Sequence, residues 1–196
     1  MNALNITLQQ QTNNTEISLI LPYQLKAQLP LSSALKQQVA QHRQIIQNIL
    51  AGTDPRLLVI AGPCSIHDSQ AALEYAEKLK QLQSQVSDQI FLVMRAYIEK
   101  PRTTIGWKGF LYDPDLDGSA NMQLGLEKSR ELYLQIIEMG LPIASEILSP
   151  MATGYFDDLL AWGAIGARTS ESQIHREISS HMPYSIGFKN GTDGSI

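Results

Sequence analysis

Short apolar runs alternate with helical periods along most of this chain. The runs predict strands over residues 57–61, 90–97, 142–147, 164–168 and 185–189. Apolar residues recur at helical spacing over residues 68–86, 121–139, 153–162 and 170–180. A regular alternation of strand and helix predicts parallel strands that are joined by right-handed crossovers.

The first 54 residues follow a different pattern. Residues 1–15 are polar and rich in Gln, Asn and Thr, which predicts a flexible tail. Residues 16–31 hold a short apolar run and two prolines, and they predict an edge strand or an arm that packs on a partner. A helical period then begins near residue 32 and ends near Gly52. We therefore separate a tail (1–15), an N-terminal extension (16–54) and an α/β domain (55–196).

Two architectures fit the alternating part: a doubly wound open sheet and a (β/α)8 barrel. The first would show a glycine-rich phosphate turn after its first strand, and the sequence AGPCSIH lacks that pattern. Barrels carry their chemistry at the carboxyl ends of many strands. Here the five strand ends read GPCSIH, MRAYIEKPRT, SEILSP, ARTSES and FKNGTDG. We therefore predict an α/β fold of the TIM barrel type, with about five of its eight strands present.

Composition narrows the class of protein. Of the 196 residues, 43% are hydrophobic, which suffices for one sizeable core. Charged residues make up 17% and the net charge is −4, so neither a nucleic-acid surface nor an anionic-membrane surface is indicated. The single cysteine excludes an internal disulfide framework, and the N-terminus lacks the pattern of a signal peptide. We expect a cytoplasmic protein.

Cations are unusually frequent at the strand ends. The group comprises Arg95, Lys100, Arg102, Arg168 and Lys189. In a barrel they would share one mouth and repel one another unless anions lie between them, which indicates substrates with phosphate and carboxylate groups. The alternative is that some of them form surface or inter-strand ion pairs with Glu99, Glu146 and Glu171.

Cys64 follows the first strand directly after Gly-Pro. It is a candidate nucleophile or metal ligand, and the alternative is a small buried apolar residue. His67 is too close in sequence to be assigned as its base. His42 lies in the predicted N-terminal helix, and His175 and His181 belong to the region of the last predicted helix. No histidine therefore ends a strand as a possible second ligand.

Four stretches together resemble a known family. LLVIAGPCSIHD, VMRAYIEKPRTTIGWKG, WGAIGARTSESQIHRE and GFKNGTDG, in this order and spacing, resemble 3-deoxy-D-arabino-heptulosonate 7-phosphate (DAHP) synthases of the type that has an N-terminal extension and is inhibited by an aromatic amino acid. The resemblance covers residues 16–196. It implies a metal-dependent barrel that condenses phosphoenolpyruvate with erythrose 4-phosphate, the first step of the shikimate route to aromatic amino acids. The KPRT sequence argues against the sister octulosonate 8-phosphate synthases, which resemble KANRS there.

The resemblance also implies roles for individual residues. Lys100 and Cys64 would be catalytic, and Cys64 would be a ligand of a divalent ion, with Mn, Fe, Zn, Cu or Co as candidates. The residues that would bind phosphoenolpyruvate are Arg95, Lys100, Glu146, Ala167, Arg168 and Lys189. Those that would bind erythrose 4-phosphate are Lys100, Pro101, Arg102 and Thr103.

The family's other metal ligands (a His, a Glu and an Asp) and a further phosphate-binding Arg come from strands after the fifth. We expect them to be absent from residues 1–196, so that this chain alone has no synthase activity. The alternative is a non-catalytic remnant of such an enzyme. The resemblance further implies a homo-oligomer, dimer or tetramer, that uses the 16–54 extension, and feedback inhibition whose selectivity among Phe, Tyr and Trp stays open.

Overall fold

The structure is a computed structural model that describes residues 19–195. The predicted tail, 1–15, lies outside the described residues. Two helices come first, α1 (Pro22–Gln28) and α2 (Ser33–Leu50). The strands that follow are β1 (Leu57–Ala61), β2 (Ile90–Arg95), β3 (Ile143–Glu146), β4 (Trp162–Ile165) and β5 (Ser185–Phe188). The helices between them are α3 (Ser69–Val86), α4 (Met122–Glu138), α5 (Pro150–Phe156) and α6 (Gln173–His181).

The five strands form one parallel sheet in the order β1-β2-β3-β4-β5. Each strand therefore pairs with its neighbour in the chain. A doubly wound sheet would instead reverse its order at a switch point. The sequential order confirms the barrel type, and five strands with their helices form part of such a barrel. Among the described helices, none has the length and apolar character that crossing a membrane requires.

Two apolar clusters lie on the two faces of the curved sheet, because side chains alternate along a strand. Leu92 and Met94 of β2 belong to the large cluster that includes α3, α4 and α5. Phe91 and Val93 belong to a smaller cluster with Ile46 of α2. Helix α2 thus covers the inner face near the amino ends of the strands. The next positions of the same inner row are Arg95 and Tyr97, at the carboxyl end.

The N-terminal extension packs on helices α4 and α5. Pro22 begins α1 at the position where its missing N–H costs nothing, so the edge strand considered for this stretch is wrong over the described residues. The hydroxyl of Tyr155 donates to the carbonyl of Ile20 at 2.6 Å. Nε of Arg130 donates to the carbonyl of Leu29 at 2.8 Å. The extension is therefore a packed helical arm.

The helix predicted for residues 153–162 and the strand predicted for residues 164–168 both begin earlier in the structure. Helix α5 begins at Pro150 rather than residue 153, and it ends at Phe156. Trp162 opens β4 instead of closing the helix. The cause is tertiary pairing, since the amide of Ala161 donates to Ile143 and starts the parallel ladder. The other predicted elements lie within a few residues of the observed ones.

Candidate active site

A cavity of about 290 Å³ opens at the carboxyl ends of the strands. It collects nine of the ten predicted site residues. Thr103 is the exception, since it is exposed on the same loop as Arg102 and does not line the cavity. The lining residues are Cys64, Arg95, Tyr97, Glu99, Lys100, Pro101, Arg102, Glu146, Leu148, Gly166, Ala167, Arg168, Thr169 and Lys189.

Parallel strands explain why residues far apart in sequence meet here. Arg95 is the last residue of β2 and continues the inward row of Phe91 and Val93. Lys189 follows β5 directly, and its amide donates to Ile165 at the end of β4. All strands share one direction, so residues that follow them share one rim.

Cys64 and Lys100 contact each other in the cavity. Nζ of Lys100 donates to Sγ of Cys64 at 2.9 Å. This hydrogen bond and the positive charge of Lys100 lower the pKa of the Cys64 thiol, with smaller contributions from Arg95 and Lys189. The side chain of Cys64 is exposed to the cleft, so it is not a buried apolar residue. A thiol that loses its proton readily can act as a metal ligand or a nucleophile.

The cations of the cleft have no carboxylate partners among residues 19–195. The ion pairs in this part of the chain join Lys26, Arg56, Lys128 and Arg130 to aspartates elsewhere. The alternative interpretation, surface or inter-strand ion pairs with Glu99, Glu146 and Glu171, is therefore wrong for the described residues. Arg95 is fixed instead by donating from Nε to the carbonyl of Pro63 at 2.9 Å. Several cations without an ion-pair partner among the described residues thus surround one cavity, and such a cluster can bind an anion with more than one charge.

Glu146 is the half-buried carboxylate of this cleft. A Cβ at position 166 would lie 2.4 Å from Oε1 of Glu146, so Gly166 makes room for the carboxylate. Burial raises the pKa of Glu146, while Lys189 and the other cleft cations oppose that shift. A carboxyl group whose pKa is raised inside a cleft is suited to hold or exchange a proton.

Glu99 anchors the loop that carries Lys100, and sequence reasoning missed it as a site residue. It is 4% exposed. The hydroxyl of Tyr112 donates to its Oε1 at 3.0 Å, and the amide of Ser149 donates to its Oε2 at 3.3 Å. Burial raises the pKa of Glu99 to about 7, although these hydrogen bonds act in the opposite direction. In the sequence, the neighbouring Lys100 indicated only an ion pair for Glu99, and that ion pair does not form.

Tyr97 is the second site residue that the sequence analysis missed. Its ring centroid lies 5.1 Å from Cζ of Arg95 and 5.7 Å from Nζ of Lys189. The available signal was its spacing, since residues two apart on a strand share a face. That spacing places Tyr97 near Arg95 and says nothing about Lys189.

A complete metal site is not present in the described part of the chain. No group of three or more His, Cys, Asp or Glu side chains there could hold a metal ion. Cys64 fits as one ligand, and its thiol would suit Fe²⁺, Zn²⁺ or Cu²⁺ better than Mg²⁺. Residues 19–195 therefore supply the cations of the cavity and a single candidate metal ligand.

Comparison with known proteins identifies the family. Residues 29–196 match the model of the DAHP synthetase I family. The chain belongs to this family. A Tyr-sensitive phospho-2-dehydro-3-deoxyheptonate aldolase from Salmonella typhimurium is 55% identical over 188 residues, covering 94% of this chain and 53% of the relative. A Trp-sensitive one from Enterobacter agglomerans is 52% identical over 179 residues, covering 91% of this chain and 51% of the relative.

A solved member of the same family has the same fold. The aldolase of that name from Francisella tularensis SCHU S4 is 50% identical, with a TM-score of 0.88 over 91% of this chain and 52% of that structure. The chain spans about half the length of the curated relatives it matches. The family resemblance and the barrel type are confirmed. The comparisons favour neither the octulosonate 8-phosphate synthase nor the non-catalytic remnant.

Proposed function

We propose that this chain provides the substrate-binding half of a DAHP synthase, which condenses phosphoenolpyruvate with erythrose 4-phosphate and releases phosphate. The observation that supports this most is the convergence of Arg95, Lys100, Arg168 and Lys189 on one cavity without carboxylate partners among residues 19–195. We take the reaction from the family to which the chain belongs. The positive charge of the cavity would bind the anionic groups of the two substrates.

Phosphoenolpyruvate would occupy the inner part of the cavity. Its phosphate carries about −1.5 to −2 charges at neutral pH, and its carboxylate adds another. Planar guanidinium groups bind such oxygens in pairs, while an ammonium group acts as a point charge. We assign Arg95 and Arg168 to the first role, and Lys100 and Lys189 to the second. The backbone of Ala167 and the carboxyl group of Glu146 complete this subsite.

Erythrose 4-phosphate would bind along the loop of residues 100–103. Lys100, Pro101 and Arg102 line the cavity, and Arg102 is exposed at its edge. Thr103 lies outside the lining, and its contact with the second substrate is part of the proposal. Glu99 would keep this loop in place, because its carboxylate joins the loop to Tyr112 and Ser149.

The proposal includes a divalent metal, one of Mn, Fe, Zn, Cu or Co, with Cys64 as one ligand. A bound metal would polarise the aldehyde of erythrose 4-phosphate as a Lewis acid. Its remaining ligands would come from outside residues 19–195, since the described residues hold no complete set. The Cys64–Lys100 contact keeps the thiol easily deprotonated and so ready for a metal.

Regulation, assembly and location are also proposals. The names of the relatives state that they are Tyr-sensitive or Trp-sensitive. We propose that an aromatic amino acid inhibits the protein with this chain, and that it is a cytoplasmic homo-oligomer assembled through the 16–54 extension. In support, the described part of the extension packs on α4 and α5 and exposes Leu21 and Tyr23.

Calorimetric titration with phosphoenolpyruvate tests the binding site. We expect the 196-residue chain to bind it and Lys189→Ala to weaken binding by about 10- to 100-fold, since hydrogen bonds to charged groups contribute about 1.5–3 kcal/mol each. Lys78→Ala, an exposed position on α3, is the matched control and should bind as the unchanged chain does. Equal affinity in the two variants would contradict the assignment of Lys189.

Phosphate release tests the reaction. We expect no turnover from residues 1–196 alone with both substrates and Mn²⁺, because residues 19–195 hold no complete set of metal ligands. A chimera that continues these residues with the remainder of the Tyr-sensitive relative from Escherichia coli, which is 54% identical to this chain, should turn over at about 1 s⁻¹ or faster. An inactive, folded chimera that binds Mn²⁺ would contradict the proposal.

A further inference from the structure

Tyr97 has no role in the proposed function, yet it contacts two cations of the cavity. Its side chain is 7% exposed and it lines the cavity wall. Cζ of Arg95 lies 5.1 Å from the ring centroid, and Nζ of Lys189 lies 5.7 Å from the same centroid. Both distances fall within the range of about 6 Å over which an aromatic face attracts a cation.

The two cations come from different parts of the sheet. Arg95 ends β2 and Lys189 follows β5, and two strands lie between β2 and β5 in the sheet. They meet at the ring across the concave inner face. Two positive groups near one point repel each other, and the negative face of the aromatic ring offsets part of that repulsion. The ring can therefore hold both cations close together before any anion binds.

We propose that Tyr97 is a positioning residue whose ring face holds Arg95 and Lys189 ready for phosphoenolpyruvate. This inference rests on the proposed function, because it names the ligand that the two cations would receive. Tyr97 acts through these cations, and its hydroxyl group is not needed for the role. The proposal therefore predicts that the aromatic face matters and that the hydroxyl does not.

The backbone around Tyr97 fixes where the ring stands. The amide of Ile66 donates to the carbonyl of Tyr97 at 2.7 Å. The amide of Ala96 donates to Ala144 of β3 at 2.9 Å. The loop after β1 thus binds the backbone of Tyr97, and strand β3 binds the backbone of the residue before it. A ring attached to such a rigid segment can order a more flexible neighbour.

Lys189 is the neighbour that gains most from this contact. Arg95 has a second support, because its Nε donates to Pro63. Lys189 is exposed, and within residues 19–195 its Nζ makes no hydrogen bond and no ion pair. A flexible lysine loses rotamer freedom when it binds a ligand, so holding it in advance improves affinity. The effect of Tyr97 should therefore depend on Lys189.

Titration with phosphoenolpyruvate in the 196-residue chain provides the test. Tyr97→Leu removes the aromatic face and should weaken binding by about ten-fold, the scale of a desolvated cation–π contact. Tyr97→Phe keeps the face and loses the hydroxyl, and it should rescue binding to within about two-fold of the unchanged chain. Equal weakening in both variants would overturn the proposal, since the hydroxyl would then be responsible.

A double-mutant cycle separates positioning from a general loss of packing. In a Lys189→Ala background, Tyr97→Leu should cost much less affinity than in the unchanged chain, about three-fold or less. An undiminished ten-fold cost would overturn the role through Lys189. Thermal unfolding of each variant without ligand shows how much of the loss of affinity comes from a less stable fold.

Fluorinated phenylalanines at position 97 keep the proposal falsifiable if Tyr97→Leu does not fold. Fluorine weakens the negative ring face with little change in size, so affinity should fall stepwise from phenylalanine to its trifluorinated form. A constant affinity along this series would overturn the proposal and leave the proposed function standing. No binding of phosphoenolpyruvate by the unchanged chain would overturn both.

Discussion

At the scale of single residues, His42 of α2 is a half-buried group that the site does not use. Its ring packs edge-on against Phe91 at 6.0 Å, and its Nδ1 is buried without a hydrogen-bond partner among the described residues. Burial lowers the pKa of His42 from 6.5 to about 4. The folded state therefore prefers the neutral ring, and protonation favours unfolding.

We expect His42→Leu to remove an acid-side loss of stability. The pKa of His42 is lower in the folded state than in the unfolded state. Its neutral ring therefore leaves the free energy of unfolding at its full value above about pH 6.5. As pH falls toward 4, protonation lowers that free energy by about 2–3 kcal/mol in total. Urea unfolding between pH 7.5 and 4.5 measures it. His181→Leu, at an exposed position, is the control and should keep the loss. Identical pH profiles for the His42 variant and the unchanged chain would contradict the prediction.

At the scale of elements, Arg130 of α4 joins the N-terminal arm to the barrel. Its side chain is 0% exposed and donates to Leu29 before α2, to Tyr155 in α5 and, at 2.7 Å and 2.9 Å, to both carboxylate oxygens of Asp158. We expect Asp158→Asn to cost about 3 kcal/mol, because it leaves a buried guanidinium unpaired.

The chain offers a matched control for this pair. Lys128 lies on the same helix and pairs with Asp115 at 2.6 Å, but both side chains are more than a third exposed. Asp115→Asn should therefore cost about 0–1 kcal/mol. Denaturant unfolding of the two variants measures both values, and similar costs would show that burial does not decide the strength of the Arg130 pair.

At the scale of the whole molecule, the described sheet has two open edges, since β1 and β5 each pair with one strand. Phe188 at the end of β5 is 45% exposed. Open strands offer unpaired backbone groups to another chain, so we expect the 196-residue chain to associate with itself as concentration rises. Phe188→Glu should reduce this association in light scattering after size-exclusion chromatography.

Leu82 has the same exposure, 45%, and lies on helix α3 rather than on a strand. Leu82→Glu removes a similar apolar surface and should leave the association unchanged. An equal effect of the two substitutions would mean that general hydrophobicity, rather than the β5 edge, drives it. A chain that stays monomeric at all concentrations would contradict the prediction outright.

The sequence by itself determined the parallel α/β class and nine of the fourteen residues that line the candidate site. Apolar runs such as 57–61 are local patterns, and their alternation with helical periods allows few topologies. Arg95, Arg168 and Lys189 could be assigned to one rim because parallel strands share a direction. Cys64 stood out because only Gly62 and Pro63 separate it from the end of such a strand. These conclusions need only the order of residues along the chain.

Only the tertiary structure decided how these residues contact one another. Trp162 reads as the end of a helix, and the backbone pairing of its neighbour with β3 makes it part of a strand. Tyr97 contacts both Arg95 and Lys189 because β2 and β5 face each other across the sheet's inner surface. The hydrogen-bond partners of Glu99 are Tyr112 and Ser149, which are 13 and 50 residues away in sequence. Local patterns report periodicity, whereas burial, hydrogen bonds and pKa values depend on distances between elements that the chain brings together only when it folds.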